Sequence, residues 1–104
     1  MHEPDIERSQ RGEARWRILR ALDAGRPVAL SETIIHRTLV DVNLQVSPHG
    51  LRRELKYLEG KGLVAILAED EPTWLVELTP EGIDVAEYEV PAPPGIARPR
   101  KWWS

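Results

Sequence analysis

The sequence predicts one small α+β domain, mainly helical, and three observations carry that prediction. Two steps, Ser47-Pro48 and Thr79-Pro80, pair a helix-capping hydroxyl with a proline suited to a first helical turn, and each opens a pattern of helical period. Two apolar runs, Leu63 to Leu67 and Trp74 to Leu78, flank a polar segment of six residues and read as a hairpin. The chain has 104 residues and no cysteine, so one modest core forms without disulfide staples, thiolate zinc sites or a thiol nucleophile.

The first helix is expected from about Arg11 to Asp23, with Gly25 as its stop signal and Pro27 beyond. Ile18, Leu19 and Leu22 form its apolar stripe and Trp16 lies at one margin. Arg15 falls inside that stripe, which the sequence does not explain. Val28 to Leu30 reads as a short strand. Ser31 caps a second helix, and Glu32 in its first turn suits the helix dipole. Ile34, Ile35, Leu39 and Val42 fall on one arc of that helix, while His36 and Arg37 point away.

The third helix starts at Ser47-Pro48 and ends at Gly62, with Val46 and Leu51 in hydrophobic-staple positions. Its buried side is Leu51, Leu55 and Leu58. After the hairpin, Thr79-Pro80 opens a short fourth helix to about Tyr88, with Ile83, Val85 and Ala86 as apolar contacts. The order is helix, short strand, helix, helix, hairpin, helix. The second and third helices make a helix-turn-helix and the hairpin is a wing. The expected fold is therefore a winged helix-turn-helix: a three-helix core, a β-hairpin wing and a short C-terminal helix. Residues 1–10 are expected as a flexible N-terminal lead and 11–90 as the domain. Residues 91–104 form a proline-rich basic tail ending in Trp-Trp.

At about 100° per residue, with His49 at zero, Arg52, Arg53 and Lys56 fall within about 60° of His49 and nearly opposite the leucines. Helix packing through the leucines would expose His49, Arg52, Arg53 and Lys56, and Ser47 adds a donor at the helix start. Guanidinium and ammonium groups in that place suit phosphates and guanine edges, so these five residues are the candidate DNA-binding set. Glu54 and Glu59 flank the stripe.

The net charge of −3 and the wing tip Glu69-Asp70-Glu71 oppose duplex binding. The tip reads as a solubilising loop that also blunts the hairpin edge. The arginines of the first helix, Arg8, Arg11, Arg15, Arg17 and Arg20, either extend a positive surface or pair with the wing and with Glu81, Asp84, Glu87 and Glu89.

In the tail, Arg98, Arg100 and Lys101 precede Trp102 and Trp103, a cluster suited to docking on the domain, on a second subunit or on a partner. Docking through Trp102 or Trp103 is the expected arrangement. No phosphate loop, dinucleotide turn, zinc-protease helix or calcium loop is present. The histidines His2, His36 and His49 are far apart in sequence. Neither catalysis nor a cofactor or metal is expected. The longest apolar run has six residues, Leu63 to Ala68, so no membrane span is expected. The polar start MHEPDIERSQ predicts no signal peptide and a cytoplasmic location.

The segments ARWRILRALDAG, VSPHGLRRELKYLEGKGLV and LTPEGIDVAEYEV, followed by PGIARPRKWW, together resemble one family, the small winged-helix proteins of Mu-like phages and prophages described as ArsR-type regulators. The resemblance spans residues 14–103. It implies a winged-helix fold and a phage context. The expected function is a DNA-binding transcriptional regulator of a phage or prophage, meeting double-stranded DNA through Arg52, Arg53 and Lys56; the alternative is a protein-interaction module of phage assembly or DNA packaging. A homodimer is compatible with either. Pro48-His49 departs from the Arg-Asp common in that family, so a base-reading role at those positions does not carry over.

Overall fold

A computed structural model describes residues 3–103, with side chains from residue 7 onward. Helix α1 (Glu3–Gly25) begins well before the expected Arg11. Pro4 falls in its first turn, where a missing N–H costs nothing. Residues 7–11 are exposed, so no buried stripe marks this stretch in the sequence. The expected flexible lead is thus helix over residues 3–10, and residues 1 and 2 lie outside the described residues.

Strand β1 (Leu30–Ser31) is displaced by a residue or two from the expected Val28–Leu30. Helix α2 (Glu32–Asp41) starts at the Ser31 cap, whose Oγ accepts from the Ile34 N–H. Only Ile35 and Leu39 of the expected arc are buried. Ile34 faces solvent, and Val42 has already left the helix as its C-cap. His36 does not point away: its Nε2 donates to the Val46 carbonyl at 2.6 Å. That bond satisfies one carbonyl in the connection leading to helix α3 (Pro48–Gly60).

Ser47 caps α3 by accepting from the Gly50 N–H at 2.9 Å, with Pro48 inside the first turn. The helix closes at Lys61 and Gly62, where φ is +76°. Strands β2 (Val64–Leu67) and β3 (Leu75–Leu78) pair antiparallel, with Leu67 opposite Leu75 and Val64 opposite Leu78. β1 adds to the other edge of β3, Leu30 opposite Val76, giving the order β1-β3-β2. Helix α4 (Pro80–Ala86) is capped by Thr79. Gly82 is required there, because a Cβ at this position would overlap the Leu63 carbonyl oxygen.

Among the described residues the fold is four helices and a three-stranded antiparallel sheet, mainly helical. α1 is the central element, touching α2, α3, α4 and β3. Ile18 and Leu19 of α1, Leu39 of α2, Leu55 and Leu58 of α3 and Val76 of β3 are fully buried. The leucine side of α3 is therefore inward, as the sequence predicts. No helix among the described residues is long and apolar enough to cross a membrane.

Candidate functional site

With Leu51, Leu55 and Leu58 turned inward, the opposite face of α3 lies against the start of α2 and the β2–β3 loop. Arg52 is the best-connected residue there. Its Nε and one terminal nitrogen grip both oxygens of Glu32, at 2.8 and 2.6 Å. The terminal nitrogen also donates to the Pro72 carbonyl at 2.9 Å, and the guanidinium lies 4.3 Å from the Trp74 ring centre. Glu32 in turn accepts from the Trp74 N–H at 2.8 Å. A planar guanidinium meeting a carboxylate in two parallel bonds is the strong form of ion pair. The Arg52 hydrogen bond holds the Glu32 carboxyl below the ordinary glutamate range, outweighing partial burial, and Glu32 raises Arg52 in return.

Lys56 is also taken. Its Nζ lies 2.8 Å from Glu59 and 2.9 Å from Glu69 in the loop, and Glu59, then Glu69, raise its pKa. Glu69 belongs to the acidic tip expected to stand free as a solubilising loop. Its carboxylate instead holds Lys56, while its carbonyl accepts from the Trp74 indole N–H. Ser47 spends its hydroxyl on the cap. His49 and Arg53 remain exposed, and Arg53 has no ion-pair partner among the described residues. Of the five candidates, α3 thus presents two with free polar groups.

An open groove of about 420 Å³ runs between α2, α3 and the loop, with His36, His49, Arg52 and Pro72 in its lining. A second, of about 400 Å³, lies between α1 and the start of α3, with Arg11, Gln45 and Arg53 around it. No group of His, Asp and Glu suited to a metal ion occurs among the described residues.

Glu54, expected beside the outer stripe, is buried at 7% exposure, and its carboxylate accepts from Arg15 Nε at 2.6 Å. The wheel that put the cations outside places Glu54 about 140° from His49, next to Leu58 at about 180°. This pair also accounts for Arg15 within the apolar stripe of α1. Arg15 further donates to the Gly95 carbonyl at 3.1 Å and lies 3.6 Å from the Tyr57 ring centre. No other α1 arginine forms an ion pair with α4 among the described residues. Arg17 pairs with Glu13 and Arg20 with Asp23, both within the helix, and only Arg26, beyond it, reaches Glu87.

The tail folds back over the domain, chiefly through Ile96 and Arg98, with Trp103 against Tyr88. Ile96 enters the core at 7% exposure, and the Ala97 N–H donates to the Gly12 carbonyl at 3.0 Å. Tyr57 Oη donates to the Pro94 carbonyl at 3.3 Å. Arg98 donates to the Val85 and Val90 carbonyls and lies 4.2 Å from the Tyr88 ring centre. Tyr88 has φ +63°, a conformation that costs a bulky residue free energy. Its contacts with Trp16, Arg98 and the Pro99 carbonyl hold it there.

Beyond this strap, Trp103 stands edge-on to Tyr88 at 4.9 Å, and Trp102 edge-on to Trp103 at 5.6 Å. Trp102 is 86% exposed and Trp103 44%. Arg100 is exposed, and Lys101 Nζ lies 5.7 Å from the Trp103 ring centre. The partners that sequence reasoning missed are Glu32, Trp74, Tyr57, Tyr88 and Ile96. Only the charge inside the α1 stripe signalled one of these networks in advance.

The sequence matches no family model, no curated protein and no solved structure.

Proposed function

We propose that the chain is a winged-helix module that binds protein rather than reading duplex DNA through α3. The element order and the strand order β1-β3-β2 support the winged-helix reading, with β2–β3 as the wing. One observation carries the functional reading: two of the three outward cations of α3, Arg52 and Lys56, are already paired with the molecule's own carboxylates. Arg52 meets Glu32 and Lys56 meets Glu59 and Glu69, so with Arg53, unpaired among the described residues, three cations stand against three carboxylates. Duplex affinity comes mostly from replacing counterions on phosphate, and cations already held by carboxylates contribute little to that exchange. The resemblance to Mu-like phage proteins places candidate partners among proteins of phage assembly or packaging.

The test is a fluorescence-anisotropy titration of labelled phage duplex at two salt concentrations. The expected result is no binding at micromolar protein. Tight binding whose log–log salt slope is several units, and which Arg53→Glu abolishes, overturns the reading.

A second reading, a DNA-binding regulator, is favoured by the exposure of Arg53 and His49 beside the start of α3. It requires phosphate to displace Glu69 from Lys56, an exposed pair of the kind that is held weakly. Arg52 stays with Glu32 in that case too. Under this reading Arg53→Glu costs most of the affinity and removes about 0.9 from the salt slope.

A further inference from the structure

We infer that the C-terminal indole pair of one copy docks on the outer face of the β2–β3 hairpin of a second copy. The inference rests on the protein-binding reading above and names the partner.

Two surfaces of the molecule are complementary. The first is the tail. Trp16, Tyr88, Trp103 and Trp102 form a row of edge-on rings from the core to solvent. The row fixes the two indoles before any partner arrives, which lowers the entropy lost on binding. Indoles are large apolar groups, and Trp is among the residues most enriched at binding hot spots. Arg100 and Lys101 beside them take no carboxylate partner among the described residues.

The second surface is the outer face of the hairpin. The strand alternation that buries Val64 and Val76 turns Leu67 and Leu75 outward as a directly opposed pair, 38% and 39% exposed. Ala65 and Glu77 are the next opposed pair on that face. The loop beyond carries Glu69, Asp70 and Glu71, of which only Glu69 meets a cation among the described residues. An apolar pair edged by unpaired carboxylates thus matches an indole pair edged by unpaired cations.

The described hydrogen bonds and ring contacts of the tail reach α1, α3, α4 and Tyr88 just beyond it, and none reaches the hairpin. The two surfaces therefore meet between copies. Each copy carries one of each, so the contacts either close reciprocally between two copies or run head-to-tail along a chain of them. Two indoles supply far less than the roughly 1,200 Å² of a stable interface, so the association is weak and concentration-dependent.

Sedimentation velocity on the full chain, over rising concentration at low and high salt, tests this. The expected weight-average mass climbs with concentration, and less steeply in high salt. Trp102→Ala, a substitution at an exposed end, raises the apparent dissociation constant about 30-fold. Leu67→Ser with Leu75→Ser does the same while leaving the tail intact. Mixing these two variants restores a dimer and nothing larger, because only one working contact remains. If circular dichroism shows the leucine variant unfolded, Asp70→Lys replaces it. Asp70→Lys weakens association alone and recovers it when mixed with Lys101→Glu. A monomer at every concentration, unchanged association in Trp102→Ala, or a mixture that stays monomeric overturns the inference. The duplex titration separates the two proposals: a monomer without DNA affinity removes only the self-docking contact, whereas tight duplex binding removes the protein-binding reading itself.

Discussion

Replacing Arg15 by Met removes the one cation that serves Glu54. The methionine stem fills much of the same space but donates nothing. Glu54 then stays under α1 with a charge and no partner. Breaking a buried ion pair from one side costs about 3–5 kcal/mol. The two side chains are 14% and 9% exposed, so some water reaches them and the lower part of that range applies, about 3 kcal/mol. For a domain of this size that lowers Tm by about 12–24 °C. Thermal and urea denaturation followed by circular dichroism read both quantities.

The reciprocal change, Glu54→Met, leaves Arg15 with the Gly95 carbonyl and the Tyr57 ring and so costs less. The double variant Arg15→Met with Glu54→Met costs less than Arg15→Met alone, because it removes the orphaned charge. If Arg15→Met loses under about 1 kcal/mol, or if the two single losses simply add, the pair is not the bolt between α1 and α3 described above.

Three other outcomes follow from the same structure. Ile96→Ala empties a core position filled only by the tail and costs about 2–4 kcal/mol in urea denaturation, where a disordered tail would show no change. Gly82→Ala drives a methyl into the Leu63 carbonyl and lowers stability by at least about 2 kcal/mol, whereas Gly60→Ala, which meets nothing, is neutral or stabilising. Glu32 has a folded pKa below its unfolded one, so the folded state binds its proton less readily. Its contribution is fully present above about pH 4.3 and is lost as acid titrates it below that value, and Glu32→Gln removes this acid-side dependence from a stability–pH profile.

The parts of the fold legible in the sequence are those set by neighbouring residues. Ser47-Pro48 and Thr79-Pro80 mark helix starts because cap and proline act within one turn. Leu51, Leu55 and Leu58 mark a buried face because they share a single helix. The start of α1 was not legible, since residues 7–11 are exposed and leave no apolar rhythm. The candidate site was half legible. The sequence places Arg52 and Lys56 on the outer face, but it does not show who meets them there. Glu32 lies 20 positions from Arg52 and Glu69 lies 13 from Lys56. Only the fold brings them together, and that meeting turns a basic stripe into a neutral one. Glu54 was within reach, because its angle beside Leu58 already marked it as inward.

The strap has a further bearing on how the chain comes to be folded during synthesis. Ile96 and the carbonyl of Gly95 are made after every helix, yet Arg15 of the first helix, 80 positions earlier, donates to that carbonyl. A nascent chain that has emerged only as far as α4 has every helix but an incomplete interior. Final locking therefore waits until residues 94–98 have emerged and laid themselves across α1, α3 and α4.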